Sequence, residues 1–290
     1  MFTVRVGGLA VLLVGFALTG IAEAHSKKSK KMDDAMWTGA GVMSASASGT
    51  ALWQFPDKKK IDPAIFGTPS APNNVDLLPL ENRMVSADGS AYTTIKNMSA
   101  FSNKIKMTKG DFSIQIRDVT AKDTPKSADQ IAMDASFIGP NGRKFRITMN
   151  KVIPVGPKHQ FFGGVGTNVL MHGATGIGTA LVAEEFSYIT AWGIGDLYID
   201  GEKVDTNRVV HMMVSERTRD DNYKVGFGVA NPDDLEIHVM LPPEKGSPTG
   251  PVANPVPTGV KLPNGKMQPF IHVNFYGNPK LKGNQFYASK

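Results

Sequence analysis

Residues 131–149 read Ile131-Ala132-Met133-Asp134-Ala135-Ser136-Phe137-Ile138-Gly139-Pro140-Asn141-Gly142-Arg143-Lys144-Phe145-Arg146-Ile147-Thr148-Met149. Ile131, Met133, Ala135 and Phe137 recur at every second position, and Phe145, Ile147 and Met149 repeat the pattern after Asn141-Gly142. Period two puts one set of side chains on one face of a strand. Asn-Gly between two such runs supplies the left-handed backbone that a tight hairpin needs.

The pattern extends in both directions. Upstream, Phe112, Ile114 and Ile116 alternate with Ser113, Gln115 and Arg117. Downstream, a second hairpin is expected around Asp200-Gly201, with further strands over 208–214, 224–229, 235–241 and 269–276. Short strands at this spacing predict a mainly β fold: an antiparallel β-barrel or β-sandwich with long Pro/Gly-rich loops and little helix. The helical expectations are one turn around Ala64 and a short helix over 179–186. The Pro- and Gly-rich stretch 242–269 predicts extended, polyproline-like chain lying over the surface. The run Gly173-Ala174-Thr175-Gly176-Ile177-Gly178 matches neither the dinucleotide nor the P-loop spacing and reads as a tight inter-strand connection.

Four segments are expected. Residues 1–24 read as a secretory signal peptide, with Arg5, an apolar stretch over 6–21 and the small-x-small site Ala22-Glu23-Ala24. A retained signal anchor is the alternative, because about 16 apolar residues nearly span a bilayer and four lysines follow at once. Residues 25–55 predict a flexible basic leader, 56–79 an irregular arm with five prolines, and 80–290 the antiparallel β domain. The localisation expected is periplasmic or extracellular.

Composition narrows function mainly by exclusion. The 290 residues contain no Cys, which rules out a disulfide scaffold, Cys-ligated zinc or iron–sulfur centres and a thiol nucleophile. The net charge of +6 falls to +2 once Arg5, Glu23, Lys27, Lys28, Lys30 and Lys31 are set aside, leaving 27 basic against 25 acidic residues. The excess therefore sits on a short segment that could touch an anionic envelope surface through residues 27–31. No basic stripe with interleaved aromatics points to nucleic acid.

The histidines carry the chemistry. In 235–241 the apolar set Leu235, Ile237, Val239 and Leu241 leaves Glu236, His238 and Met240 on the opposite face. In 270–276, Ile271, Val273 and Phe275 likewise leave His272, Asn274 and Tyr276 together. If the two strands are neighbours these groups converge, and His211 joins them if its own strand is buried on both faces. His172 sits at the mouth of the glycine-rich loop, His159 in a Pro/Lys-rich turn.

Two readings compete for this polar face. One is a site: His172, His211, Asn274 and Tyr276 binding a small molecule, or His238, His272 and Glu236 holding zinc, copper or non-haem iron. A mature N-terminus at His25 would be a separate copper chelate. The other is the solvated side of a half-exposed sheet, where such residues are ordinary. The adjacent pair Glu184-Glu185 reads as a surface step, and Ser215–Asp221 as a charged turn closing a strand. The expectation is an exported cell-envelope β-protein that binds a small ligand without catalysis; the alternative is a His-based metal protein or metal-dependent enzyme.

Overall fold

A computed structural model describes residues 37, 39–73, 78–119, 128–153, 164–225, 230–247 and 250–284. Residues 1–24, His25, 27–31 and His159 lie outside the described residues, as do 226–229 of the strand expected over 224–229. The long strands are β1 (Val42–Gln54), β2 (Ile105–Arg117), β3 (Gln130–Ile138), β4 (Lys144–Val152), β5 (Val165–Met171), β6 (Glu185–Ile199), β7 (Glu202–Arg217), β8 (Asn231–Leu241) and β9 (Ile271–Phe275). The pairing is antiparallel throughout, and the structure is nearly all β.

The sheet closes on itself. Around the ring the order is β1-β2-β3-β4-β6-β7-β8-β9, and β9 pairs back onto β1. Eight strands in chain order make an up-and-down barrel, which settles the barrel against the sandwich. β5 is the exception: it pairs with the first half of β6, whose second half pairs with β4. Both expected hairpins form, with Gly142 at φ 81° and Asp200 and Gly201 at φ 54° and 91°. Positive φ at both residues of a two-residue loop matches the right-handed twist of the strands it joins.

An eight-stranded barrel has an interior just wide enough for its own side chains. Trp53, Phe112, Phe137, Phe145 and Phe275 fill it, with centroid separations of 5.4 Å for Trp53–Phe145, 5.7 Å for Phe137–Phe145 and 5.6 Å for Phe112–Phe275. Most described residues of the loop 242–269 are exposed or half-buried, as expected of chain lying over the surface, but the loop is also anchored. It drives Val256 and Val260 into this same core. The buried guanidinium of Arg208 holds it by donating to Asn254 Oδ1 at 2.7 Å and to the Pro255 carbonyl at 2.8 Å.

Two further expectations are corrected. The flexible leader gives way at Val42 to β1, in which Met43, Ala45, Ala47, Ala51 and Trp53 face the core. The helix expected over 179–186 is absent: 180–182 is turn and bend, and Glu185 begins β6. Tertiary pairing with β5 and β7 outweighs the local helical bias there.

Outside the barrel wall lies a cover made from residues 55–73, 78–104 and 172–184. Its own small core is Ile61, Phe66, Leu78, Ile95 and Ala180. The single helical turn α1 (Pro63–Phe66) falls where expected, capped by Asp62, whose side chain accepts from the Ala64 amide at 2.9 Å. Arg83 fastens the cover: it donates to the carbonyls of Leu78 and Phe66, with its guanidinium 5.1 Å and 5.3 Å from the Phe66 and Tyr92 rings.

Candidate binding chamber

Alternation on the barrel wall decides what lies under the cover. On β7, Val210, Met212 and Val214 point inward, so His211, Met213 and Ser215 point outward. On β8 the outward set is Glu236, His238 and Met240, and on β9 it is His272 and Asn274. β8 and β9 are neighbours, with His238 opposite Asn274 and Met240 opposite His272. The two polar faces read from sequence therefore form one surface.

The rings run diagonally across four strands. Trp192 stacks on His211 at 4.4 Å, His211 meets His238 at 5.1 Å, His238 meets His272 at 5.3 Å, and His272 meets Phe101 of the cover at 5.2 Å. This face is covered, not solvated: His238, His272 and Glu236 are 5%, 1% and 2% exposed. The half-exposed-sheet reading fails because residues 55–73 and 78–104, which end well before β6 (Glu185–Ile199), fold over this face.

A void of about 10 Å³ remains between wall and cover, lined by His238, His272, Glu185, Glu236, Asn274 and Arg219 among others. Phe101 and Val182 of the cover close it, together with Val225. Around it the polar groups are extensively paired. Glu236 accepts from Thr218 and from the Tyr276 hydroxyl, both at 2.7 Å. Arg219 donates to Gln54, to the Ser102 carbonyl at 2.9 Å and to the Tyr223 carbonyl at 2.7 Å, and Gln54 in turn donates to Asn274. Of the five buried side-chain atoms without a partner among the described residues, His238 Nε2, His272 Nε2 and Glu185 Oε2 belong to residues that line the void; the others are Ser215 Oγ, on the same outward face, and Arg217 Nε.

Hydrogen bonding fixes the tautomers. His272 Nδ1 lies 3.0 Å from the Ala100 carbonyl and His172 Nδ1 lies 2.9 Å from that of Thr179. A carbonyl only accepts, so each Nδ1 carries the proton and each neutral ring turns an Nε2 lone pair toward its surroundings. For His172 those surroundings are Met213 Sδ at 3.4 Å and Glu185 Oε1 at 3.5 Å. Gly178 makes this ring position accessible, because a Cβ there would sit 2.7 Å from the imidazole.

Burial sets the charges. It lowers His172 to about 4 and His272 to about 3, and it takes His238 well below the ordinary range, with His211 and His272 adding to the effect. All three are neutral at pH 7. Burial, with the Glu236 carboxylate behind it, pushes Glu185 well above the usual carboxylate range and favours the protonated acid. Burial and then Glu236 also raise Tyr276, which stays a phenol donating to that carboxylate. Lys59 falls to about 7, first through burial and then through Arg219.

No known family model, curated protein or solved structure matches this chain.

Of the residues singled out from sequence, His172, His211, His238, His272, Glu236, Asn274 and Tyr276 all stand on or beside this one surface. Sequence reasoning missed Gln54, Thr218, Arg219 and above all Glu185. The pair Glu184-Glu185 is no surface step, since Glu185 is 2% exposed at the start of β6. Sequence alone carried no usable signal for it: the irregular pairing between Ser187 and Ile189 breaks the alternation that would place Glu185, and only the structure shows Ser187 and Thr190 buried on a strand covered on both faces. Among the described residues, no group of three or more His, Asp or Glu side chains is placed to hold a metal ion.

Proposed function

We propose that this protein is an exported cell-envelope binding protein. It holds the hydrogen-bonding head of a small ligand, without catalysis, in the chamber between barrel wall and cover. The observation that carries the reading is the set of three unpartnered buried atoms, His238 Nε2, His272 Nε2 and Glu185 Oε2, lining one void. Each such atom costs about 1–3 kcal/mol while unpaired, and a guest bonding to all three recovers that. The His272 lone pair asks for a donor, and a protonated Glu185 can either give or accept. A protic head, a hydroxyl or an ammonium, meets both demands.

The void's volume of about 10 Å³ matches one water-sized group, which argues for a head group rather than a substrate with its reacting partner. The packed barrel interior argues against a ligand inside the barrel. Export rests on the reading of residues 1–24; no helix among the described residues is long and apolar enough to cross a membrane. A transition metal is the second reading. It is favoured by the Nδ1-to-carbonyl bond of His272, the orienting contact of metal-bound imidazoles, and weakened by the lack of a converging third donor.

Native and denatured mass spectra of the chain, made with its own N-terminus in a bacterial periplasm, test this. An organic increment in the native spectrum that disappears in His238→Phe/His272→Phe supports the chamber. A transition-metal increment replaces the first reading with the second, and equal masses contradict both.

A further inference from the structure

The cover has an outer face of its own. Residues 57–61 pair with 93–99, which pair in turn with 82–85, through the bridges Asp57–Ser99 and Lys60–Thr94 and the partners Arg83–Ile95. Lys59, Ile61, Arg83, Ile95 and Ser99 alternate inward and are buried. The intervening positions point outward, and there stand Lys58, Lys60, Lys96, Met84 and Met98, all exposed. Met98 is 63% exposed, and Leu80 and Val85 flank the face at 47% each. The two remaining outward positions are Asn82 and Thr94, and the exposed Glu81, between Leu80 and Asn82, puts one carboxylate at the edge of the face.

Three ammonium groups around flexible, exposed apolar side chains are not what solvent alone favours. We infer that this face docks the protein on an anionic phospholipid surface, with the lysines reaching phosphates and Met84 and Met98 entering the headgroup boundary. The charge pattern chooses the occupant: a face with Lys58, Lys60 and Lys96 at its centre and Glu81 only at its edge, with shallow apolar insertion, complements an anionic lipid surface, and each lysine near such a surface adds to the attraction. Lys27, Lys28, Lys30 and Lys31, outside the described residues, carry the same sign. The inference is independent of what the chamber holds.

Cosedimentation of the full chain with vesicles of phosphatidylcholine, alone or mixed with phosphatidylglycerol, tests it. The chain should bind the mixed vesicles, bind the neutral ones weakly, and lose binding as salt rises. Lys58→Glu/Lys60→Glu/Lys96→Glu should weaken binding by at least about a hundredfold. Met84→Ser/Met98→Ser should weaken it at high salt, where insertion outlasts charge. Lys280→Glu/Lys282→Glu, exposed on another strand, should bind as the unaltered chain does. Equal binding by the unaltered chain and the triple variant, an equal loss in the Lys280/Lys282 variant, or no binding to either vesicle would overturn the inference.

Discussion

Glu185 is the residue on which the chamber's chemistry turns, and its protonation leaves a measurable mark on stability. Its folded value lies well above the usual carboxylate range, so above about pH 4.5 the unfolded chain ionises while the folded chain resists. Stability drawn from this group is present at low pH and is lost as pH rises. Glu185→Gln keeps the shape and removes the proton exchange. Denaturant unfolding should show variant and parent alike near pH 4 and the variant more stable near pH 8, with the gap widening with pH. A constant gap would mean that Glu185 is ionised in the fold. Glu185 also shows where a sequence stops informing. Its burial comes from the loop 172–184 and from β7, neither of which its neighbours Glu184 and Phe186 reveal. Glu236, His238, His272 and Asn274 were legible because three or four apolar residues on each strand fixed the opposite face.

At the scale of elements, β1 is the instructive strand. Its first half, Val42-Met43-Ser44-Ala45-Ser46-Ala47-Ser48, has a regular period of two, yet beyond Val42 and Met43 its inward residues are alanine and its outward ones serine. Small, polar composition reads as flexible chain; only the long pairing with β2 makes it a strand. Ala47→Asp should therefore cost several kcal/mol, of order 3, by burying an unpaired carboxylate beside Phe112, whereas Ser46→Asp should change stability by less than about 0.5 kcal/mol. Equal, small effects in a thermal melt would return this segment to the leader. The loop 242–269 makes a parallel case. Arg208→Met removes the bonds that hold it and leaves the Asp205 carboxylate to Lys245 alone, which should cost about 1–3 kcal/mol and open the loop to limited proteolysis. Unchanged cleavage would show that Val256 and Val260 suffice. The hairpins at Asn141-Gly142 and Asp200-Gly201 needed no such long-range information, because turn chemistry and flanking alternation agree locally.

For the whole molecule, the joining of barrel and cover over neutral histidines predicts acid sensitivity. His172 at about 4 and His272 at about 3 take up protons in the unfolded chain from about pH 6.5 downward, while the folded chain cannot. Their contribution is present above pH 6.5 and is withdrawn as pH falls toward these values, with His172 alone accounting for on the order of 3 kcal/mol by pH 4. Glu185 opposes this only above its unfolded value, so the histidines dominate the acid limb. Stability that stays level between pH 7 and pH 4 would contradict their neutral burial. The fold class was legible from the strands themselves. That the barrel wall has a covered sector was not, because the cover's residues 55–73 and 78–104 belong to no strand of that sector and carry only proline spacing as a local signal.

The most direct test of the central claim is the native mass of the periplasmically produced chain beside its His238→Phe/His272→Phe variant. The account predicts an organic increment on the parent that is missing from the variant. Parent and variant each equal to their denatured masses, in a variant that still folds, would contradict it.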